Sequence, residues 1–467
     1  MKNLTSIIGI CGVALITLLS SCKDEFLDKV PYDAIPFDDA LLTEDDMQAA
    51  LNGVYSNMLG SGLYGRTVPI MGDLLADNVY ISSANTGRYI PFNTYAIFDD
   101  NGDVDGVWSS AYYAILNANQ VISADLPANA NVNQMRGEAY AARGMMYFDL
   151  VRIFAKPYNA DNINSAGVPI VLTYQPEIKP ARNTVGEVYA QAVSDLTTAI
   201  SLMTEEKNSE YISKYVAVGL LAKVYQYMGD WENAKTQSLD LINNGGYSLV
   251  DSADFVSFWA DPGPSELSET LFELRMDIAV NNGFNSLAAM YDDAVYGDAL
   301  VDSNFYNSYS DADVRKQLMF EAELSGEPIV RVNKYPNSSN TSDYDDIKII
   351  RLAEVYLILA EAYYHLGDEG NALTYLNAIA QQREPSFEGY TSSGETLLND
   401  ITNERRKELA FEGNRVFDLN RLGLDINRGP QFPSDALFIP ISDYRRLMPI
   451  PLYEINANPA MVQNPGY

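Results

Sequence analysis

The sequence predicts an all-α protein, a scaffold of repeated helix pairs interrupted by loop-rich insertions. Three observations point to this fold class. Apolar residues recur at helical spacing in several stretches, one 15-residue pattern occurs twice, and no stretch alternates apolar and polar residues over a sustained length. Residues 60–106 and 260–345 break the helical pattern with turn-forming residues and tyrosines, so they are expected to be mainly loops.

Composition excludes several function classes. The chain has 467 residues, enough for two or more domains, and a formal net charge of −32. Such an acidic surface repels phosphate backbones, so nucleic-acid binding is not expected. The one histidine, His365, is expected on a helix surface, and its isolation argues against His-rich metal sites and Ser-His-Asp triads. We expect no cofactor and no metal; Asp-rich residues 99–105 are compatible with calcium ligation, but a solvated turn is favoured.

The N-terminus predicts export and a lipid anchor. An apolar run over 7–19 is shorter than the roughly 20 residues that span a bilayer, and it fits a secretory signal peptide over 1–21. The following Leu-Ser-Ser-Cys resembles a bacterial lipobox, which implies cleavage before Cys22 and acylation of that residue. The alternative is a plain signal peptide with an unrelated cysteine. Since Cys11 would leave with the signal, the mature chain would have no disulfide.

Helix boundaries can be predicted from capping residues and apolar spacing. Thr43 and Asp46 form a capping pair before an apolar stripe, and Thr184 with Glu187 forms another. Between these two helices, helical periodicity resumes near Trp108. Residues 449–467 contain too many prolines for a helix and are expected to run extended, with turns at 458–459 and 464–466.

One internal repeat supports the scaffold. "LLAKVYQYMGDWENA" (220–234) and "ILAEAYYHLGDEGNA" (358–372) share the pattern A-x6-G-D-x3-A. The pattern resembles the tetratricopeptide repeat, in which two antiparallel helices pack through small residues and turn at a glycine. More degenerate helix pairs are expected around 110–155 and 185–205.

Four stretches together resemble the SusD/RagB family of nutrient-binding outer-membrane lipoproteins. They are "SSCKDEFLD" (20–28), "GEAYAARGMMYFDLVRIFAKPY" (137–158) with "GVPIV" (167–171), "RLAEVYLILAEA" (351–362) with Arg383 downstream, and "ERRKELAFEGNRVFDLNRLG" (404–423) with "PIP" (449–451) and "NPGY" (464–467). Their order and spacing match across nearly the whole chain. The resemblance implies tetratricopeptide-like helix pairs carrying ligand-binding insertions, which is the SusD-like fold.

The resemblance also implies a function and a location. The protein would be a non-catalytic surface lipoprotein of the outer membrane, anchored by Cys22 and facing outside. It would capture oligosaccharides and deliver them to a SusC-like TonB-dependent transporter. The expected organisation is a signal peptide (1–21), an N-terminal region (22–225) and a C-terminal region (226–467) with a ligand-loop insertion at about 260–345.

The charged fourth stretch is interpreted as an internal lock of the scaffold. Arg405 and Glu408 lie three residues apart, as do Glu412 and Arg415, so each pair is expected to meet along a helix face. Leu409, Val416, Phe417 and Leu419 would be buried beside them. Glu138 and Arg143 receive the same structural interpretation.

Ligand residues are predicted from two loops that mix tyrosines with Asn, Asp and Arg. Aromatic faces suit the C–H side of a pyranose, and polar side chains satisfy its hydroxyls. In the family, the loop after a "GD…D" element commonly contributes to the site, and Gly72, Asp73 and Asp77 match that element. The candidates are Asp77, Asn78, Tyr80, Arg88, Tyr89, Tyr291 and Tyr296, with Trp259 as a weaker one. Alternatives are a peptide-capturing member of the family, a helical scaffold without a soluble ligand, and an acid–base enzyme, which no motif supports.

Overall fold

The computed structural model describes residues 41–204, 208–260, 268–338 and 344–467. The signal peptide and Cys22 lie outside these residues. Within them, no helix is both long enough and apolar enough to cross a bilayer. The described helices are α1 Glu44–Leu59, α2 Thr67–Leu74, α3 Ile90–Thr94, α4 Gly102–Ser123, α5 Ala130–Phe154, α6 Val185–Leu202, α7 Lys214–Met228, α8 Trp231–Asn244, α9 Phe255–Ala260, α10 Leu287–Tyr291, α11 Ser303–Tyr306, α12 Leu352–His365, α13 Glu369–Arg383, α14 Gly394–Glu408, α15 Arg415–Arg421 and α16 Leu452–Ala457.

Short strands in the described residues pair two by two, always antiparallel. The pairs are β1 Val79–Ile81 with β3 Ala299–Val301, β2 Thr270–Leu274 with β6 Ile347–Arg351, β4 Met319–Leu324 with β5 Glu327–Val332, and β7 Ile426–Asn427 with β8 Phe438–Ile439. The mainly helical architecture confirms the predicted fold class. The expectation that 260–345 is mainly loop is wrong for β2 to β5, because four strands lie in that region.

The predicted helix starts and the repeat are confirmed. Thr43 and Thr184 cap α1 and α6 with complete capping boxes. In both repeat copies a glycine turns the chain, with φ of 70° at Gly229 and 81° at Gly367, and the next residue, Asp230 or Asp368, caps the second helix. Helix α12 packs against α13 and also against α8, so the two pairs lie side by side. Small residues allow this approach, since Ala222, Ala234 and Ala362 form one buried cluster with Ile358.

Two expectations of non-helical structure, for 60–106 and for 449–467, are wrong in part, and a proline lies in or next to the first turn of a helix in each region. Residues 60–106 contain α2, whose Pro69 lies in the first turn, where backbone N–H groups have no intrahelical partner. Residues 449–467 contain α16, which begins directly after Pro451. The boundary predicted at 225/226 lies inside α7, and the division into two regions stays a prediction.

The fourth motif is a buried lock, but its predicted i,i+3 ion pairs are wrong. Glu408 contacts Arg351 at 2.9 Å, and Arg383 and Arg315 at 3.1 Å each. Arg405 pairs instead with Glu354 at 2.6 Å and Asp418 at 2.9 Å.

The reason is that α14 ends at Glu408 and the chain then turns through Phe411 and Gly413, both at positive φ. Glu412 therefore meets Arg351 at 2.7 Å, while Arg415 reaches Asp77 at 2.7 Å. The predicted burial of Leu409, Val416, Phe417 and Leu419 is confirmed. Glu138 and Arg143 are buried too, bonded to Tyr55 and Asp195.

Candidate functional site

The two segments that supply the predicted ligand residues meet in space. Strand β1 pairs with β3, so Tyr80 lies opposite Leu300. Beyond the strands, the Thr86 backbone N–H donates to Asp298 at 2.9 Å, and the Arg88 guanidinium stacks on the Tyr296 ring, 3.7 Å from its centre. Segments more than 200 residues apart in the chain thus form one continuous surface.

Asp77 and Asn78 fasten this surface to the scaffold. The Asp77 carboxylate accepts from Arg415 at 2.7 and 2.9 Å and pairs with Arg406 at 3.1 Å. Burial opposes ionisation, but Arg415 and Arg406 outweigh it and lower the pKa of Asp77. Asn78 accepts from Arg406 at 2.8 Å and donates to Asp73 at 3.0 Å. In this structure both side chains have their polar groups occupied by the protein itself.

Tyr89 and Tyr291 are buried beneath the surface. Tyr89 is 2% exposed, accepts from Arg66 at 2.7 Å, and shares a hydrogen bond with Thr67 at 2.8 Å. Burial raises its pKa to about 12. Tyr291 is 1% exposed and stacks parallel to Tyr335 with 6.1 Å between ring centres. Trp259, the weaker candidate, is also buried.

The predicted residues therefore divide into two groups. Arg88 and Tyr296 are half-buried at the surface, and Tyr80 lines a groove although it is only 8% exposed, whereas Asp77, Asn78, Tyr89 and Tyr291 are buried beneath the surface. Ligand contact by any of the seven stays a prediction, and the geometry favours the first group.

A groove of about 550 Å³ opens beside the β1–β3 pair. Tyr80 and Val301 form one wall and the β4–β5 hairpin forms the other. Tyr80 packs against Phe432 with ring centres 5.9 Å apart, and burial raises its pKa, as does the nearby Asp302. The remaining polar and aromatic lining is contributed by Ser303, Tyr306, Asn307 and Gln431.

Several groove residues escaped the sequence prediction. Tyr306 and Asn307 lie in the same tyrosine-rich segment, residues 291–311, as the candidates Tyr291 and Tyr296, but are not among the predicted residues. The β4–β5 hairpin was missed, although its two-residue turn, Ser325-Gly326, adopts positive φ at both positions, 55° and 86°. A Gly-containing two-residue turn between short runs of strand-forming residues is the signal that would have found it.

The described part of the chain holds no cluster of three or more His, Cys, Asp or Glu side chains arranged to bind a metal. The groove offers aromatic faces, hydroxyls, amides and two glutamates, Glu321 and Glu323. Its chemistry therefore suits the recognition of a polyhydroxylated or polar ligand by stacking and hydrogen bonding.

Two family models match the chain. One, described as "SusD family", matches residues 325–467, and the other, described as "Starch-binding associating with outer membrane", matches residues 25–226. A curated relative, SusD-like protein P2 of Formosa agariphila, is 28% identical over 97% of this chain and 98% of its own. The starch-binding protein SusD of Bacteroides thetaiotaomicron is 31% identical, but only over 28% of this chain and 23% of its own.

Solved structures share the fold along almost the whole chain. A SusD superfamily protein from Bacteroides thetaiotaomicron is 32% identical, covering 91% of this chain and 100% of its own, with a TM-score of 0.83. Another, from Bacteroides vulgatus, is 29% identical, covering 91% and 99%, with a TM-score of 0.84.

Proposed function

Because the chain belongs to the SusD family, we propose that it is a non-catalytic surface lipoprotein that captures oligosaccharides and delivers them to a SusC-like TonB-dependent transporter. Cys22 would carry the acyl chains that hold it to the outer membrane, facing outside. The family description, starch binding in association with the outer membrane, supports the ligand class and the location.

One observation carries the ligand proposal, namely the joining of two tyrosine-rich segments around an open groove. The Tyr306 ring is half-buried and lines the groove, and Asn307 is exposed beside it. Ser303 and Gln431 add groups that can satisfy sugar hydroxyls, which matters because an unpaired buried hydroxyl costs about 1–3 kcal/mol. The groove's size is typical of small-ligand sites.

The ligand is tested by calorimetry of the soluble ectodomain, residues 23–467, against panels of neutral oligosaccharides and of peptides. We expect saturable glycan binding that is lost in Tyr306→Ala and weakened in Asn307→Ala. Tyr113→Ala is the matched control, because that ring is exposed on α4 and does not line the groove. If the ectodomain binds peptides but no glycan, the protein is a peptide-capturing member of the family instead. Cleavage of a bound glycan would contradict the non-catalytic role.

The anchor and the transporter are tested in cells. Labelled palmitate should enter the wild type and Cys11→Ala but not Cys22→Ala, since Cys11 would be removed with the signal peptide. Because Cys22→Ala would carry no acyl chains, this variant should also be absent from the outer-membrane fraction. Co-purification of the SusC-like partner with the wild type tests delivery, and its absence would favour a protein that acts without the transporter.

A further inference from the structure

The charged side chains that line the groove are all negative. Glu321 and Glu323 line it from β4, and both are exposed. Neither belongs to an ion pair among the described residues, and no Arg or Lys lines the groove there. The cation beside it, Lys316, pairs with Asp311 at 2.6 Å while its ammonium lies 4.8 Å from the Tyr306 ring centre.

The inner end of the groove adds a hydrogen-bond acceptor. Gln431 lines the groove, and its Oε1 has no hydrogen-bond partner. Outside the lining, Asp302 is 2% exposed; its Oδ1 accepts from the Phe305 N–H at 3.0 Å, and its Oδ2 has no partner. Both unpartnered oxygens lie within 3.0 Å of the position that a Cβ at Gly429 would occupy. The Gln431 amide donates to the Ser303 hydroxyl, which accepts that bond and so keeps its own proton to donate.

Acceptors thus outnumber donors on the walls and at the inner end. A ligand placed here meets two exposed carboxylates and, at the inner end, the unpartnered Oε1 of Gln431. Hydroxyl groups can donate to these oxygens, whereas a ligand carboxylate or sulfate would be repelled by the like charge of Glu321 and Glu323. The net charge of −32 strengthens this repulsion at longer range.

Resting on the proposed function, we infer that this groove selects glycans by charge: it takes neutral oligosaccharides and rejects those that carry uronic acid or sulfate groups. Glu321 and Glu323 are the specificity-determining residues at the mouth. Gln431 favours a ligand donor at the inner end.

The test compares matched glycans on the soluble ectodomain. Each neutral oligosaccharide that binds is paired with the same backbone bearing a carboxylate or sulfate. We expect the anionic member to bind at least about tenfold more weakly. Raising NaCl from 50 to 500 mM should reduce the difference in affinity between the two members of a pair, because salt screens repulsion between exposed charges. At low salt, the double variant Glu321→Gln with Glu323→Gln should show a smaller difference in affinity between the neutral and the anionic glycan than the wild type does. The control double variant, Glu388→Gln with Glu395→Gln, changes two exposed glutamates outside the groove and should leave that difference unchanged.

The outcomes separate this inference from the function on which it rests. If neutral and anionic partners bind equally, or if the double glutamine variant leaves the ratio unchanged, charge selection by these residues is refuted while glycan capture stands. If no member of any pair binds, glycan capture is what fails. Circular dichroism and the melting temperature of each variant show whether a lost signal reflects unfolding.

Discussion

Glu408 is the carboxylate on which the buried ion network of the scaffold converges. It is 1% exposed and has three arginine partners, contributed by β6, by α13 and by the turn that precedes β4. Burial penalises its charge, but the three guanidinium groups outweigh that penalty and hold its pKa well below the usual range. One side chain therefore ties the C-terminal repeat to the segment that carries the groove.

Removing this carboxylate should be strongly destabilising. In Glu408→Ala, Arg351, Arg383 and Arg315 lose a shared counter-charge while they stay buried, and breaking such a pair typically costs about 3–5 kcal/mol. We expect the free energy of unfolding, measured by urea titration of the ectodomain, to fall by that amount. Glu395→Ala, at an exposed position in the first turn of α14, should change it by no more than about 0.5 kcal/mol. A loss below about 1 kcal/mol in Glu408→Ala would show that the network adds little to stability.

At the scale of elements, the site depends on one close backbone contact. Helix α2 lies against the turn after α14, where a Cβ at Gly72 would come within 2.1 Å of the Gly413 carbonyl oxygen. The Gly413 N–H donates to Asp73 at 3.0 Å, and Asp73 in turn accepts from Asn78 at the start of β1. Because α2 leads directly into β1, this contact sets where Tyr80 lies.

Alanine substitutions at Gly367 and Gly413, both at positive φ, distinguish the cost of backbone strain from the cost of a steric clash with α2. Gly367→Ala adds a Cβ that meets nothing within 4 Å, so the left-handed backbone alone should cost about 1–2 kcal/mol. Gly413→Ala has a similar φ of 74°, but its Cβ would lie 2.5 Å from Cα of Pro69. We expect Gly413→Ala to lose clearly more stability in urea titration and to weaken glycan binding, while Gly367→Ala leaves binding unchanged. Equal losses would mean that α2 adjusts without cost.

Sequence patterns predicted the helices because their signals are local. The capping boxes at Thr43 and Thr184 and the repeated Gly-Asp turns each lie within a few residues. The β4–β5 hairpin was missed because most of β4 is exposed on both faces, so its sequence "MFEAEL" lacks a clear apolar stripe. The candidate site was predicted only as two loops. Which tyrosines face outward depends on long-range contacts, such as Arg406 with Asn78, that no local pattern encodes.

For the whole molecule, acidity and buried carboxyls together set the response to pH. Burial raises the pKa of Asp73 and of Asp345 to about 6, and burial with the nearby Glu273 raises that of Asp346 to about 7. In the unfolded chain these groups titrate near 3.9. The folded state therefore binds their protons more tightly, and their stabilising contribution is full below about pH 4 and lost as the pH rises through 6 to 7.

The opposite sign applies to Asp418. Burial opposes its ionisation, but Arg405 and Arg421 outweigh burial and lower its pKa to about 2. Its contribution is present above about pH 4 and is lost as the pH falls toward 2. The ectodomain should therefore be most stable near pH 4–5, a trend that the acidity of the chain, with a net charge of −32 over its full length, reinforces because partial protonation relieves self-repulsion.

The substitution Asp346→Asn tests how much the Asp346 carboxyl contributes to the pH dependence of stability. The Met276 N–H donates to Oδ1 of Asp346 at 2.7 Å, a bond that an asparagine can keep, while the buried Oδ2 has no hydrogen-bond partner to lose. Between pH 8 and pH 5 the wild type should gain about 2–3 kcal/mol from this carboxyl. The variant should lack that gain and be the more stable protein at pH 8. Urea titrations of both proteins at pH 5, 6, 7 and 8 measure the difference. Parallel pH curves would show that Asp346 titrates at its ordinary value and that the other carboxyls account for the slope.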